Sequence, residues 1–197
     1  MSIESRTGQL EVEVKIRLTD RPAFAAKLPE LGFRLVTPAT LERNTLLDTK
    51  DSSLRGRREI LRIRRYGDKW KLTHKADATG STNSQHKVRV ETETDIGDGQ
   101  ALTAVLERLG YGPMFVYEKL REEWTDGSGT VVLDSTPIGD FAELEGEDSW
   151  IDKTAAVLGV AADQYITASY ARLFSDWKNT TKSPANNMTF EEVRATT

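Results

Sequence analysis

Along this chain, charged side chains repeatedly fall at every second position: Glu11/Glu13/Lys15, Arg62/Arg64, Lys71/Thr73/Lys75, Arg89/Glu91/Glu93, Lys119/Arg121/Glu123 and Glu143/Glu145. Successive side chains of a β-strand point to opposite faces, so each run defines a strand with one charged and one apolar face. In Gln9 to Leu18, for example, Val12, Val14, Ile16 and Leu18 alternate with Glu11, Glu13, Lys15 and Arg17. For a single strand the ordinary reading is a half-buried sheet whose charged face meets water. Repetition opens a second reading, in which about eight such strands close into a barrel lined by the charged faces, with helices covering its apolar outside. Burying uncompensated charge costs several kcal/mol per ion, so a charged lumen requires water, mutual pairing, or a highly charged ligand with counter-cations. Periodicity alone leaves both readings open.

The remaining punctuation is consistent with a small α+β domain. Asp20 can cap a short helix through about Leu31, with Pro29 disturbing its last turn. A strand is expected from about Leu41 to Asp48. Gly67-Asp68 then reads as a hairpin turn between Glu59–Arg65 and Lys69–Ala76. Asp77 to Ser84 lacks any apolar period and is expected to form a flexible loop. After a strand from His86 to Thr94, Leu102, Val105, Leu106 and Leu109 mark a helix ending at Gly110. Strands at Phe115–Thr125, Thr130–Ser135 and Asp140–Glu147 follow, then helices at about Ile151–Leu158 and Asp163–Trp177. This divides the chain into one domain over residues 1–177 and a polar tail over 178–197.

Composition removes several classes of function. The 197 residues include 27 Lys and Arg against 31 Asp and Glu, a net charge of -4, which argues against a generally basic partner; nucleic acid is not expected. Zero Cys excludes thiol nucleophiles and Cys-based zinc sites, and the two His, His74 and His86, are isolated. Any metal is therefore expected to be held by oxygen. No apolar run approaches the ~20 residues of a membrane span, so the expectation is a cytoplasmic protein without membrane contact.

Several motifs resemble one family in order. Glu11-Val12-Glu13-Val14-Lys15 looks like the E-x-E-x-K signature of the CYTH family, the triphosphate tunnel metalloenzymes. Asn44-Thr45-Leu46-Leu47-Asp48-Thr49 resembles that family's N-x-Y-F-D-T, without its aromatics, and Leu61-Arg62-Ile63-Arg64 its L-R-I-R. Lys71 to Lys75, Arg89 to Glu93, Lys119 to Arg121 and Leu133-Asp134 with Pro137 to Glu145 are similar to its later segments, with Ile138 in place of Leu. Ser169-Tyr170 fits as well, so the resemblance spans about residues 9 to 175.

The resemblance implies a closed eight-stranded antiparallel β-barrel, the triphosphate tunnel, with helices packed outside. Its implied activity is divalent-metal-dependent hydrolysis of a triphosphate, either inorganic tripolyphosphate or an organic triphosphate. Glu11, Glu13, Asp134, Glu143 and Glu145 are the implied ligands of Mg²⁺ or Mn²⁺, hard ions that take oxygen donors. Glu11, Glu13, Lys15, Arg62 and Arg64 form the implied catalytic set. Lys71, Lys75, Arg89, Lys119 and Arg121 are the implied substrate contacts, Arg suiting bidentate phosphate binding and Lys acting as a point charge. Arg55, Arg57, Arg58 and Arg65 read as solvated surface, Asp48 as structural, and His74 as structural or exposed. The same signature serves class IV adenylyl cyclases, which make cyclic AMP and pyrophosphate from ATP; this is the alternative. Ile60 stands where thiamine-specific relatives carry a stacking Trp, which lowers a thiamine reading. A non-catalytic polyphosphate or nucleotide binder is a further alternative, disfavoured by the acidic set. The apolar outer wall could be covered by helices or by a second subunit, as in a homodimer.

Overall fold

The period-two segments form strands that curl into a closed barrel. The computed structural model describes residues 8–78 and 86–195. In chain order the elements are β1 (Gln9–Leu18), α1 (Arg21–Glu30), β2 (Arg34–Asp48), α2 (Ser53–Gly56), β3 (Ile60–Tyr66), β4 (Lys69–Asp77) and β5 (Lys87–Ile96). Then follow α3 (Gly99–Arg108), β6 (Gly112–Thr125), β7 (Thr130–Thr136), β8 (Gly139–Glu145), α4 (Asp148–Leu158), α5 (Tyr170–Thr181) and α6 (Phe190–Arg194). Around the barrel the order is β1-β5-β4-β3-β2-β6-β7-β8, and β8 closes antiparallel onto β1 through Glu13↔Glu145 and Lys15↔Glu143. Closure removes the unpaired strand edges that an open sheet would expose.

The sheet is turned inside out relative to an ordinary apolar-cored barrel. Val14, Ile16, Val131, Leu133, Ala142 and Leu144 point outward and are buried beneath Phe24 and Leu28 of α1 and Ile151, Ala155 and Leu158 of α4. At roughly 1.5–3 kcal/mol for each large apolar side chain, this jacket is the main stabilising mass of the fold. A second cluster, Tyr117, Ile138, Phe141, Tyr170, Phe174, Ala185, Met188 and Val193, lies under α5 and the C-terminal segment. Among the described residues no helix is long and apolar enough to cross a membrane.

Three expectations differ from the structure. The strand expected from Leu41 begins at Arg34, because pairing with β6 resumes beyond register shifts between Leu35 and Thr40, around Pro38. The helix expected from Asp163 is instead a single 3-10 turn, Ala162–Gln164, followed by an extended stretch. There Ile166 exchanges both backbone hydrogen bonds with Lys15 (3.1 and 2.8 Å), and α5 starts only where Ser169 accepts from the Arg172 amide. The expected polar tail from Lys178 is a packed segment: α5 runs on to Thr181, and Met188 is fully buried. Met188 pairs in parallel with Tyr117, covering the edge of β6 that β7, which pairs from Leu120 onward, leaves open. The loop expected at Asp77 to Ser84 lies outside the described residues after Ala78, while Asp77 itself ends β4.

Candidate functional site

Alternation along the strands delivers the charged faces to one cavity of about 910 Å³ inside the barrel. Lys15, Arg62, Arg64, Lys75, Arg89, Lys119, Arg121, Glu11, Glu13, Glu143 and Glu145 all line it, as do Lys87, Glu91, Glu93 and Glu123. Lys71 does not line it; its half-exposed ammonium pairs with Glu93 and Asp95. Asp134 sits fully buried behind the cavity wall. His74 points outward beside Glu59, 3.6 Å away.

At the floor, acids and bases saturate one another. Both oxygens of Asp134 are occupied: Arg121 Nε donates at 2.8 Å and its Nη2 at 2.7 Å, Lys119 Nζ at 2.9 Å, and the Tyr170 hydroxyl at 2.8 Å. Glu143 pairs with Lys15 at 2.7 Å and also accepts from Arg121. Burial opposes ionisation of Glu143, yet Lys15, Arg121 and Lys119 hold its carboxyl well below the usual range. Sequence reasoning did not single out Glu42, a fully buried carboxylate 3.4 Å from Lys119, 3.6 Å from Arg64 and 3.9 Å from Arg121. Its signal was present, since Glu42 and Asn44 continue the period-two pattern of β2. Asn44 donates to Glu42 at 2.8 Å.

Above this floor the pairing is looser. Arg62 reaches Thr73 at 3.2 Å and the Tyr117 hydroxyl at 3.4 Å, with Glu91 at 3.5 Å, while its buried Nε has no acceptor among the described residues. Arg64 Nε is likewise buried without a hydrogen-bond acceptor. Both guanidiniums line the cavity, and charge-assisted donors of this kind suit an anionic ligand. Lys75 is held by Glu11 at 2.7 Å and Glu91 at 3.1 Å. Lys87, another residue that sequence reasoning left out, pairs with Glu13.

Among the expected metal ligands, the structure separates two groups. Asp134 and Glu143 are consumed by the floor cations. Glu11, Glu13 and Glu145 share one corner, Glu13 and Glu145 being register partners. Burial, reinforced by the charges of Glu11 and Glu13, raises the Glu145 carboxyl to about 7. Burial also raises Glu11, with Glu13 and Glu91 adding to the effect and Lys75 opposing it. For Glu13 burial acts upward, but Lys87 and Lys15 outweigh it and bring the value down to about 2. No ion pair to Glu145 exists among the described residues. Nor do any three acidic or His side chains there already converge at cation-binding distance. The corner's hard oxygen donors and mutually repelling carboxylates fit a Mg²⁺- or Mn²⁺-type ion, whose charge would relieve that repulsion.

The interior as a whole has no surplus of positive charge. Lys15, Arg62, Arg64, Lys75, Lys87, Arg89, Lys119 and Arg121 face Glu11, Glu13, Glu42, Glu91, Glu93, Glu123, Asp134, Glu143 and Glu145. A polyanion entering alone would meet as much repulsion as attraction. Accompanied by divalent cations, it meets a matched wall.

Comparison with known proteins places this geometry. A family model described as the CYTH domain matches residues 9–163. A candidate adenylate cyclase of Methanocaldococcus jannaschii is 25% identical over 175 residues, covering 83% of this chain and 98% of that protein. The adenylate cyclase CyaB of Aeromonas hydrophila is 28% identical over 184 residues, covering 88% and 93%. In fold, the chain is similar to a Hippeastrum protein described as a candidate adenylyl cyclase with a dominant triphosphatase activity. The TM-score is 0.62 and the identity 21%, over 85% of this chain and 96% of that one.

Proposed function

This chain belongs to the CYTH family, and from that premise we propose that it hydrolyses a triphosphate, inorganic tripolyphosphate or an organic triphosphate, with Mg²⁺ or Mn²⁺. The observation that carries the reading is the meeting, in one cavity, of the Arg62 and Arg64 guanidiniums with a carboxylate corner whose Glu145 has no ion-pair partner among the described residues. Arg62, Arg64 and Arg89 would grip phosphate oxygens, with Lys75 and Lys87 released from Glu11 and Glu13 as these turn to the cation. Glu11, Glu13 and Glu145 would hold that ion; Asp134 and Glu143 would keep Lys15, Lys119 and Arg121 oriented toward the phosphate chain. A divalent ion bound there supplies charge neutralisation and makes an attacking water more acidic. The rest is electrostatic positioning of a substrate whose transition state spreads charge over its phosphoryl oxygens.

The names of the two curated relatives favour a second reading, adenylyl cyclase, in which the same wall holds ATP and its own 3′ hydroxyl attacks the α-phosphorus. The description of the Hippeastrum protein supports hydrolysis. Purified protein supplied with tripolyphosphate, ATP or thiamine triphosphate, and assayed for phosphate, pyrophosphate and cyclic AMP, decides between them. We expect phosphate release that needs Mg²⁺ or Mn²⁺, stops on chelation, and is abolished by Glu13→Gln while the fold is retained. Cyclic AMP with stoichiometric pyrophosphate would assign the cyclase reaction instead.

A further inference from the structure

Two arginines that the interior pairing does not use, Arg55 and Arg58, lie at one rim of the cavity. Asp48 at the end of β2, Ile60 at the start of β3, Lys75 to Asp77 at the end of β4 and Arg89 near the start of β5 share this rim through the registers Leu47↔Leu61, Ile60↔Lys75 and Asp77↔Arg89. The connection between β2 and β3 lies across it and directs Arg55 and Arg58 to the cavity mouth. Arg55 has no acidic partner among the described residues. Arg58 and Arg89 share the one carboxylate of Asp77, at 2.6 and 3.1 Å.

This connection is a built structure. Asp48 accepts the amides of Thr49, Leu54 and Arg55 at 2.7, 2.9 and 3.0 Å, and Leu54 is buried. Arg89 donates to the Arg58 carbonyl at 3.0 Å. Two non-glycine residues, Ser52 (φ 58°) and Arg58 (φ 61°), are held in left-handed backbone conformation, an unfavourable state that persists where the surroundings enforce it. Arg58, held in that conformation, lines the cavity. The opposite end of the tunnel carries Glu93, Asp95 and Glu123, with Lys71 paired to Glu93 and Asp95.

The geometry points to an outer phosphate subsite at Arg55 and Arg58, which makes linear polyphosphates longer than three phosphates a substrate class of this protein. The inference rests on the reading of the cavity as a triphosphate site: three phosphates occupy the charge-matched interior with their cations, and the fourth and later ones emerge at the rim, where Arg55 has no acidic partner among the described residues and Arg58 shares Asp77 with Arg89.

The test compares wild type with the Arg55→Ala/Arg58→Asn double variant, Asn being tolerant of left-handed backbone. Phosphate release from tripolyphosphate, tetrapolyphosphate and a longer linear polyphosphate is measured with Mg²⁺. Wild type should show a lower KM for the longer chains than for tripolyphosphate. The double variant should raise KM for the longer chains roughly tenfold, as expected for loss of charge-assisted contacts, and leave that for tripolyphosphate within about twofold. A KM in wild type that is independent of chain length overturns the inference. So does an equal loss on every chain, the mark of general electrostatic steering. Arg55→Ala alone, which leaves the Arg58 contacts intact, should give part of the effect and guards against misfolding of the connection. If no phosphate is released at all, the same comparison is read as Kd by calorimetry with Mg²⁺. Chain-length-dependent binding would then keep the subsite while the hydrolase reading falls, and no binding of any chain would overturn both.

Discussion

Glu145 and Glu42 both face the barrel interior, yet their neighbours push them in opposite directions. Glu145 has acidic neighbours and burial against it, so its proton is held to about 7 rather than 4.5. A carboxyl raised in this way lowers stability when it ionises: the penalty is absent below about pH 4.5 and complete above about pH 7. Metal-free Glu145→Gln should therefore melt a few degrees higher than wild type at pH 8, by on the order of 1–3 kcal/mol, with the difference vanishing near pH 4. Adding saturating Mg²⁺ should reverse the sign, because only wild type keeps the full oxygen set. Thermal melting across pH, with and without the ion, reads both effects; a variant no more stable than wild type at pH 8 would contradict the crowded-corner account. Burial alone would raise Glu42 too, but Lys119, Arg121, Arg64 and Arg62 together hold it far below the usual range. Glu42→Gln leaves those cations uncompensated, and denaturant unfolding should show a loss of about 3–5 kcal/mol, as for other broken buried pairs. From sequence, Glu42 looked no different from any charged residue of a strand, because partners that come from β3 and β6 are not written into β2.

At the level of elements, the hairpins were legible because turn chemistry and period two are local. Gly67-Asp68 falls where the sequence predicts a turn, and the strands expected to end at Thr125 and resume at Thr130 do so. The C-terminal segment was not legible. Its composition is polar, but Met188 enters the aromatic cluster, and the backbone pairs through Met188 amide to Val116 carbonyl (3.0 Å) and Glu118 amide to Met188 carbonyl (2.9 Å). Glu192 secures the strap by accepting from the amides of Asn186 and Asn187, both at 2.9 Å. Scattered buried residues in a polar run, Ala185, Met188 and Val193, carry no periodic signal; the burial of Met188 depends on the edge that β7 leaves open. Met188→Ala should cost about 2–4 kcal/mol in chemical denaturation. The same cluster supports Tyr170, which donates to Asp134, and Tyr117, which meets Arg62. Removal of residues 182–197 should accordingly lower kcat as well as stability, whereas a mere tail would leave both unchanged.

For the molecule as a whole, the near-cancellation of charge has a mechanical consequence. With interior acids matching interior bases, triphosphate and divalent cation should bind as coupled ligands, each tightening the other by the same factor. Calorimetry of tripolyphosphate should give at least about tenfold weaker binding in chelator than in Mg²⁺, a coupling of about 1.4 kcal/mol or more. Equal affinity in both buffers would mean that the basic wall acts alone. What the amino-acid sequence determined by itself was the alternation, the turns, and the ordered motifs that mark the family, all carried by residues a few positions apart. Closure into a barrel decided the rest: that the charged faces point inward, that Asp134 and Glu143 are spent on floor cations while Glu145 stays open, and that Arg55 and Arg58 reach the rim. Those outcomes depend on neighbours contributed by other strands, and only the tertiary structure brings such neighbours together.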